Sequence, residues 1–240
     1  MKRLLLFWQL GLACLGATPP FLIPLAEPPH FEKGGEVPYT YPVETDLVAL
    51  FSSTYSKKAY EQWKPKNETL AQTLKNNSFA GVADAALIQS VYRELVEHPV
   101  AKEQNVSPFD PNGDLGYCFG RALLVHSLLR KKKIPQRDIA KLFIVGKLTY
   151  RHLMWDFHVT TLVRGQDKGW WAIDSLYEKP LPATEWMKRA ENLATNQKRP
   201  EVLFALTDPR KFQAGHGSYR AEHLRNPSIY SYFKGLFGPF

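Results

Sequence analysis

Two apolar runs, Trp155 to Val163 and Trp170 to Leu176, are separated by little more than Gly165-Gln166-Asp167-Lys168-Gly169. A short loop with glycine at both ends is a hairpin connection, so the two runs are expected to pair antiparallel. Along the first, Trp155, Phe157, Val159, Thr161 and Val163 fall on one face, and Asp156, His158, Thr160 and Leu162 on the other. Pairing symmetric about Gln166 would set His158 directly opposite Asp174, with Cβ atoms about 4.5–5.5 Å apart on one sheet face. At that separation a carboxylate can accept the imidazole N–H and fix its tautomer. A slip of one residue would send the two to opposite faces.

A third β-like run, Lys141 to Leu148, precedes the hairpin, and a helix is expected before it. Val106 to Asp114 is dense in turn formers, with Pro111-Asn112-Gly113-Asp114 at its end and Asp114 placed to cap a helix over about Leu115 to Arg130. Cys118, Ala122, Val125 and Leu129 share a stripe on that helix. The run Arg130-Lys131-Lys132-Lys133 then falls at the helix C-terminus, where cations complement the dipole. That placement accounts for the cluster without nucleic acid.

Ahead of this region lie helical patterns and a leader. Leu47, Leu50, Phe51 and Tyr55 recur at helical spacing from Asp46, and Tyr60 and Trp63 extend the pattern to Pro65, where a stop is expected. Glu68 to Lys75 and Val82 to Glu97 read as two further helices, the latter with Leu87, Val91 and Leu95 on one stripe before Pro99. After the hairpin, Thr184 to Leu193 reads as a helix, Val202 to Leu206 as a strand, and Tyr230 to Phe240 as an aromatic tail. Asn67, Asn76 and Asn105 fit the glycosylation pattern.

The first 17 residues resemble a secretory signal, with Lys2 and Arg3 followed by the apolar Leu4 to Ala13 and the small pair Gly16-Ala17. The apolar run is shorter than the ~20 residues a transmembrane helix needs, and no later run reaches that length. The chain is therefore expected to be secreted or periplasmic, without a transmembrane segment. The expected units are the signal at 1–17, a Pro-rich leader and helical region at 18–105 that could be a pro-segment or subdomain, and a catalytic domain at 106–240. A net charge of +8, less the two charges of Lys2 and Arg3, leaves a basic surface of +6.

Of the two cysteines, Cys14 lies inside the signal, leaving Cys118 as the one thiol of the mature chain. Cys14 is not read as an acylation site, because Leu12-Ala13 sit one position too close to it for the usual lipoprotein pattern. A lone exported thiol is buried, intermolecular or reactive. A thiolate is the nucleophile in cysteine chemistry, and a helix N-terminus with a neighbouring imidazolium favours it. Cys118, His158 and Asp174 therefore form the candidate catalytic set, with His158 as acid and base and Asp174 as its orienting partner. The Cys118 backbone N–H, in the first helical turn, is a natural oxyanion donor. His126 lies about 12 Å further along the same helix; His152 falls in a loop, and His98, His216 and His223 lie outside the core stretch. One cysteine and scattered histidines offer no metal-ligand spacing, and no cofactor motif is present. The residues alone leave open a buried apolar Cys118 beside a satisfied polar His158.

Several flanking segments carry a resemblance. Cys118-Phe119-Gly120-Arg121-Ala122 opens the helix; Lys147-Leu148 follow Gly146; Trp155-Asp156-Phe157-His158-Val159 and Ile173-Asp174-Ser175-Leu176 precede a proline and Trp186. Over about Phe109 to Trp186 the chain resembles the protein-glutaminase family, secreted bacterial enzymes that deamidate glutamine side chains in proteins. Leu123 and Ser175 stand where that family usually has His and Pro. The resemblance implies an α+β fold with a papain/transglutaminase-like core, its nucleophile helix packed on an antiparallel sheet. It also implies Cys118 as nucleophile, His158 as base and acid, Asp174 as orienting residue, and a protein or peptide substrate with an accessible glutamine. On the same scaffold the set could instead cut peptides or transfer the acyl group to an amine, or a degenerate core could merely hold a partner.

Overall fold

The computed structural model describes residues 39–53, 59–76, 78–101, 117–150, 153–211, 213–215 and 219. The signal and leader, the turn at Pro111–Asp114 with the Asp114 cap, His152, His216, His223 and the aromatic tail lie outside the described residues.

The alternating runs form an α+β architecture around an antiparallel five-stranded sheet. Its strands are β1 (Ile139–Tyr150), β2 (Leu153–Arg164), β3 (Trp170–Ile173), β4 (Leu181–Pro182) and β5 (Val202–Thr207). They lie in the order β4-β3-β2-β1-β5. The helices are α1 (Leu47–Ser53), α2 (Ala59–Lys75), α3 (Ala85–Glu97), α4 (Tyr117–Lys131) and α5 (Ala183–Ala190). Among the described residues, no helix is long and apolar enough to cross a membrane.

Strand alternation divides the apolar residues into two cores. On one face Phe143, Val145, Val159, Val163 and Ile173 pack with Leu47, Trp63, Leu95 and the α4 residues Phe119, Leu123 and Val125. On the other, Leu142, Ile144, Leu162, Trp170 and Phe204 pack with Leu70 and Leu74 of α2 and with Trp186 and Met187 of α5. The N-terminal helices thus share their cores with the sheet that carries His158. Two residues of the basic run are engaged locally: the Arg130 Nη1 donates to the Ile134 carbonyl at 2.6 Å, and Lys132 pairs with Glu94 at 2.7 Å.

Three expectations are corrected. Pro65 does not stop a helix but lies inside α2. A proline there costs about 3 kcal/mol, and the buried stripe Trp63, Asn67, Leu70, Leu74 runs straight through it. Second, α3 begins at Ala85, because the Asp84 carboxylate accepts the Leu87 N–H at 2.7 Å and caps the helix there, leaving Val82 48% exposed. Third, the hairpin centres on Asp167 rather than Gln166, with Val163 opposite Trp171 and Arg164 opposite Trp170. The Gly165 N–H donates to the Gly169 carbonyl at 2.7 Å, and Lys168 takes the left-handed conformation (φ 67°) inside that closing pair.

Asn67, one of the residues that fit the glycosylation pattern, is a structural residue. Its Nδ2 donates to the Val202 carbonyl at 2.8 Å, and its Oδ1 accepts the Phe204 N–H at 2.9 Å. Thr40 continues the same edge, its N–H donating to the Leu206 carbonyl and its Oγ1 accepting the Leu206 N–H. Together they satisfy the outer edge of β5, which would otherwise invite another strand. Asn67→Ala strands one donor and one acceptor in a buried place, at about 1–3 kcal/mol for each unsatisfied group. A drop of about 2–4 kcal/mol is expected in urea unfolding; a loss below about 1 kcal/mol would show that water replaces the amide.

Candidate active site

Cys118 is the second residue of α4, so its N–H belongs to a first turn whose donors have no intrahelical acceptor. Arg121, one turn on, donates from Nε to the Val100 carbonyl at 3.2 Å and from Nη2 to the Ala101 carbonyl at 3.4 Å, tying the helix start to the turn after α3. Thr161 of β2 fixes the helix from below, its Oγ1 donating to the Ala122 carbonyl at 2.6 Å. The Cys118 thiol itself is half-buried.

His158 and Asp174 come together, but not as a directly opposed pair. The register of β3 extrapolates to Thr160 opposite Asp174, and the ladder ends at Ile173. Thr160 and His158 share a face, so the two-residue difference leaves Asp174 diagonal to the imidazole on the expected side. From there its Oδ2 accepts the His158 Nε2–H at 2.7 Å. β3 pairs with β2 only over Thr161 to Arg164, which leaves the stretch around His158 uncovered by that strand. There the Cys118 thiol lies near enough to add to the influences that keep the imidazole protonated. Asp174 occupies Nε2, which leaves Nδ1 as the ring nitrogen available to the thiol.

The carboxylate is held at both oxygens. Oδ2 also accepts the Trp186 indole N–H at 2.8 Å, and Oδ1 accepts the Leu176 N–H at 3.0 Å. The Trp186 ring stacks on the imidazole, centroids 6.0 Å apart and planes 23° from parallel. Sequence reasoning placed Trp186 only among the flanking residues. Its role depends on α5 folding back over β2, which no local pattern announces.

These contacts decide the charge states. Burial alone would lower the His158 pKa, but the Asp174 charge and hydrogen bond outweigh it, with Cys118 adding to them, and the group is raised from 6.5 to about 10. Burial alone would raise Asp174; the His158 charge, its hydrogen bond and the Leu176 and Trp186 N–H groups overcome it, and the net shift is downward. An imidazolium–carboxylate pair is the state at neutral pH. The described rival histidines are engaged elsewhere: His126 Nδ1 bonds the Tyr219 hydroxyl, and His98 Nδ1 accepts the Val100 N–H at 3.1 Å. A cavity of about 620 Å³ opens at the hairpin end, between Ile88, Trp171, Pro180 and Arg189, but none of the three candidate residues lines it. Among the described residues, no group of three or more His, Cys, Asp or Glu could hold a metal ion.

Fold and site together define an α+β protein with a helix-start thiol beside a buried imidazolium–carboxylate pair. Comparison with protein-family models, with curated proteins and with solved structures finds no match to this chain.

Proposed function

We propose that this chain is an exported cysteine amidohydrolase with a papain/transglutaminase-like core, which deamidates glutamine side chains in proteins or peptides. The observation that carries the reading is the buried His158–Asp174 pair, hydrogen-bonded at 2.7 Å, with the thiol of Cys118 at a helix start beside the imidazole. The resemblance over Phe109 to Trp186 supplies the substrate class, and the signal-like start of the chain supplies the exported location.

The chemistry balances with these groups alone. The Cys118 thiolate attacks the carboxamide carbon, and the oxyanion that forms takes the Cys118 N–H. The imidazolium gives its Nδ1 proton to the leaving nitrogen, the C–N bond breaks, and ammonia departs. The now neutral His158 takes a proton from water as the hydroxyl adds to the thioester carbon. The C–S bond then breaks, and glutamate leaves with the thiolate–imidazolium pair restored. Asp174 holds the ring throughout and stays ionised.

The test is ammonia release from casein by the purified protein, with a gel run beside it and Cys118→Ala as control. Ammonia without fragments or crosslinks is the expected result, falling at least about 10³-fold in Cys118→Ala. Fragments would assign a protease, and crosslinked products an acyltransferase. Ammonia that persists in Cys118→Ala would remove the thiol from the mechanism.

A further inference from the structure

One buried cation has no place in the mechanism above. Lys141 is the third residue of β1 and is fully buried. Its Cα partner on β2 is Thr161, whose hydroxyl bonds the Ala122 carbonyl, one turn beyond Cys118. The Lys141 side chain therefore lies beneath the first turn of the thiol-bearing helix. Its Nζ sits 5.1 Å from the centroid of the Phe119 ring, the neighbour of Cys118, and 4.8 Å from that of Tyr219. It donates to the Lys211 carbonyl at 2.8 Å.

The charges that face it are few and identifiable. Asp208 and Cys118 favour its protonated form, and Lys211 opposes it. Asp208 is already paired with Arg210 at 2.9 Å, and the Lys211 ammonium is held by the carbonyls of Val43, Thr45 and Gly215. His126, on the far side of Tyr219, is fully buried and held neutral by burial and by the Lys141, Arg130 and Arg210 charges. A buried cation is expensive unless an anion is at hand. With Asp208 committed elsewhere, the other group able to supply negative charge here is the thiol of Cys118.

We propose that Lys141 is a positioning residue for the nucleophile: its buried ammonium, under the first turn of α4, favours the thiolate form of Cys118. The proposal rests on Cys118 being the nucleophile. It adds a second cation to the imidazolium, acting through the helix rather than by contact with substrate. The effect belongs to neutral and acid pH, because burial brings the Lys141 pKa down to about 7 and the charge is lost above it.

The test is the rate of iodoacetamide labelling of Cys118 in the full chain, followed by peptide mass so that Cys14 is counted separately. Two variants divide the roles of Lys141. Lys141→Met removes both charge and hydrogen bond; Lys141→Gln removes the charge but keeps a donor for the Lys211 carbonyl. At pH 6 both are expected to label about tenfold more slowly than wild type, and at pH 9, where Lys141 is neutral, within about twofold of it. The thermal midpoint of Lys141→Met is expected at or above that of wild type, since a buried charge has gone. Unchanged rates in both variants at pH 6 would overturn the proposal. So would a loss in Lys141→Met alone, which would assign Lys141 to holding the Lys211 carbonyl. Wild-type labelling as slow at pH 6 as that of a free thiol would instead fail the nucleophile reading itself, and the proposal with it.

Discussion

Asp174→Asn is expected to lower ammonia release by about 10³-fold while leaving the fold intact. The reason is visible atom by atom. The native carboxylate accepts at both ends, Oδ2 from His158 and Trp186 and Oδ1 from the Leu176 N–H. An asparagine has one acceptor oxygen and one NH2 donor. If its oxygen faces His158 and Trp186, its NH2 confronts the Leu176 N–H. If the amide turns over, the NH2 confronts both rings. Either way the imidazole loses the anion that raises its pKa to about 10, and burial, the largest opposing influence, then favours the neutral ring. The thiol loses its counterion in the same step. Iodoacetamide labelling of Cys118 should slow in parallel with turnover, and a variant within about tenfold of wild type would remove Asp174 from the orienting role.

The ordering of the three residues was legible because each depends on local chemistry. A helix start after a turn-rich stretch placed Cys118, and period-two alternation placed His158 on its face. Asp174 was found through a register that was wrong by two residues, and the error did no harm because side-chain direction repeats with that period. The loop misled because its centre depends on Lys168 adopting a left-handed conformation, a choice fixed by the closing Gly165–Gly169 pair. What stayed hidden is tertiary. Trp186 reads as one more apolar residue on an amphipathic helix until α5 lies against β2. Asn67 matches a glycosylation pattern, and only its position against the edge of β5 shows that both ends of its amide are in use. Pro65 reads as a stop, since the stripe that overrides it becomes an energetic fact only when the sheet is there to receive it. Lys141 had a visible signal, a lone charge in the apolar run Ile139 to Val145, but the pattern could not say what lay beneath it.

Opposed buried cations should also shape stability against pH, and Lys141→Met is the variant that exposes it. His158 titrates near 10 when folded against 6.5 as the unperturbed value. Over that span the folded protein holds more protons than the unfolded chain. The stabilisation from His158 is complete below 6.5 and is lost as pH rises through about 10. Lys141 runs the other way: it titrates near 7 when folded and 10.5 when not, so the unfolded chain holds the extra proton and stability rises with pH above 7. Each slope is limited to about 1.4 kcal/mol per pH unit. Between pH 7 and 8 the two nearly cancel, and Lys211, lowered to about 8, begins to add to the rising side at the top of this window. Wild-type unfolding free energy should therefore be close to flat from pH 7 to 8. In Lys141→Met the His158 slope is unopposed over most of the interval, and stability should fall by about 1 kcal/mol across it. Urea unfolding at three pH values in that interval measures the difference. Parallel profiles for the two proteins would mean that Lys141 does not lose its proton on folding, and that the cation beneath Cys118 persists to higher pH.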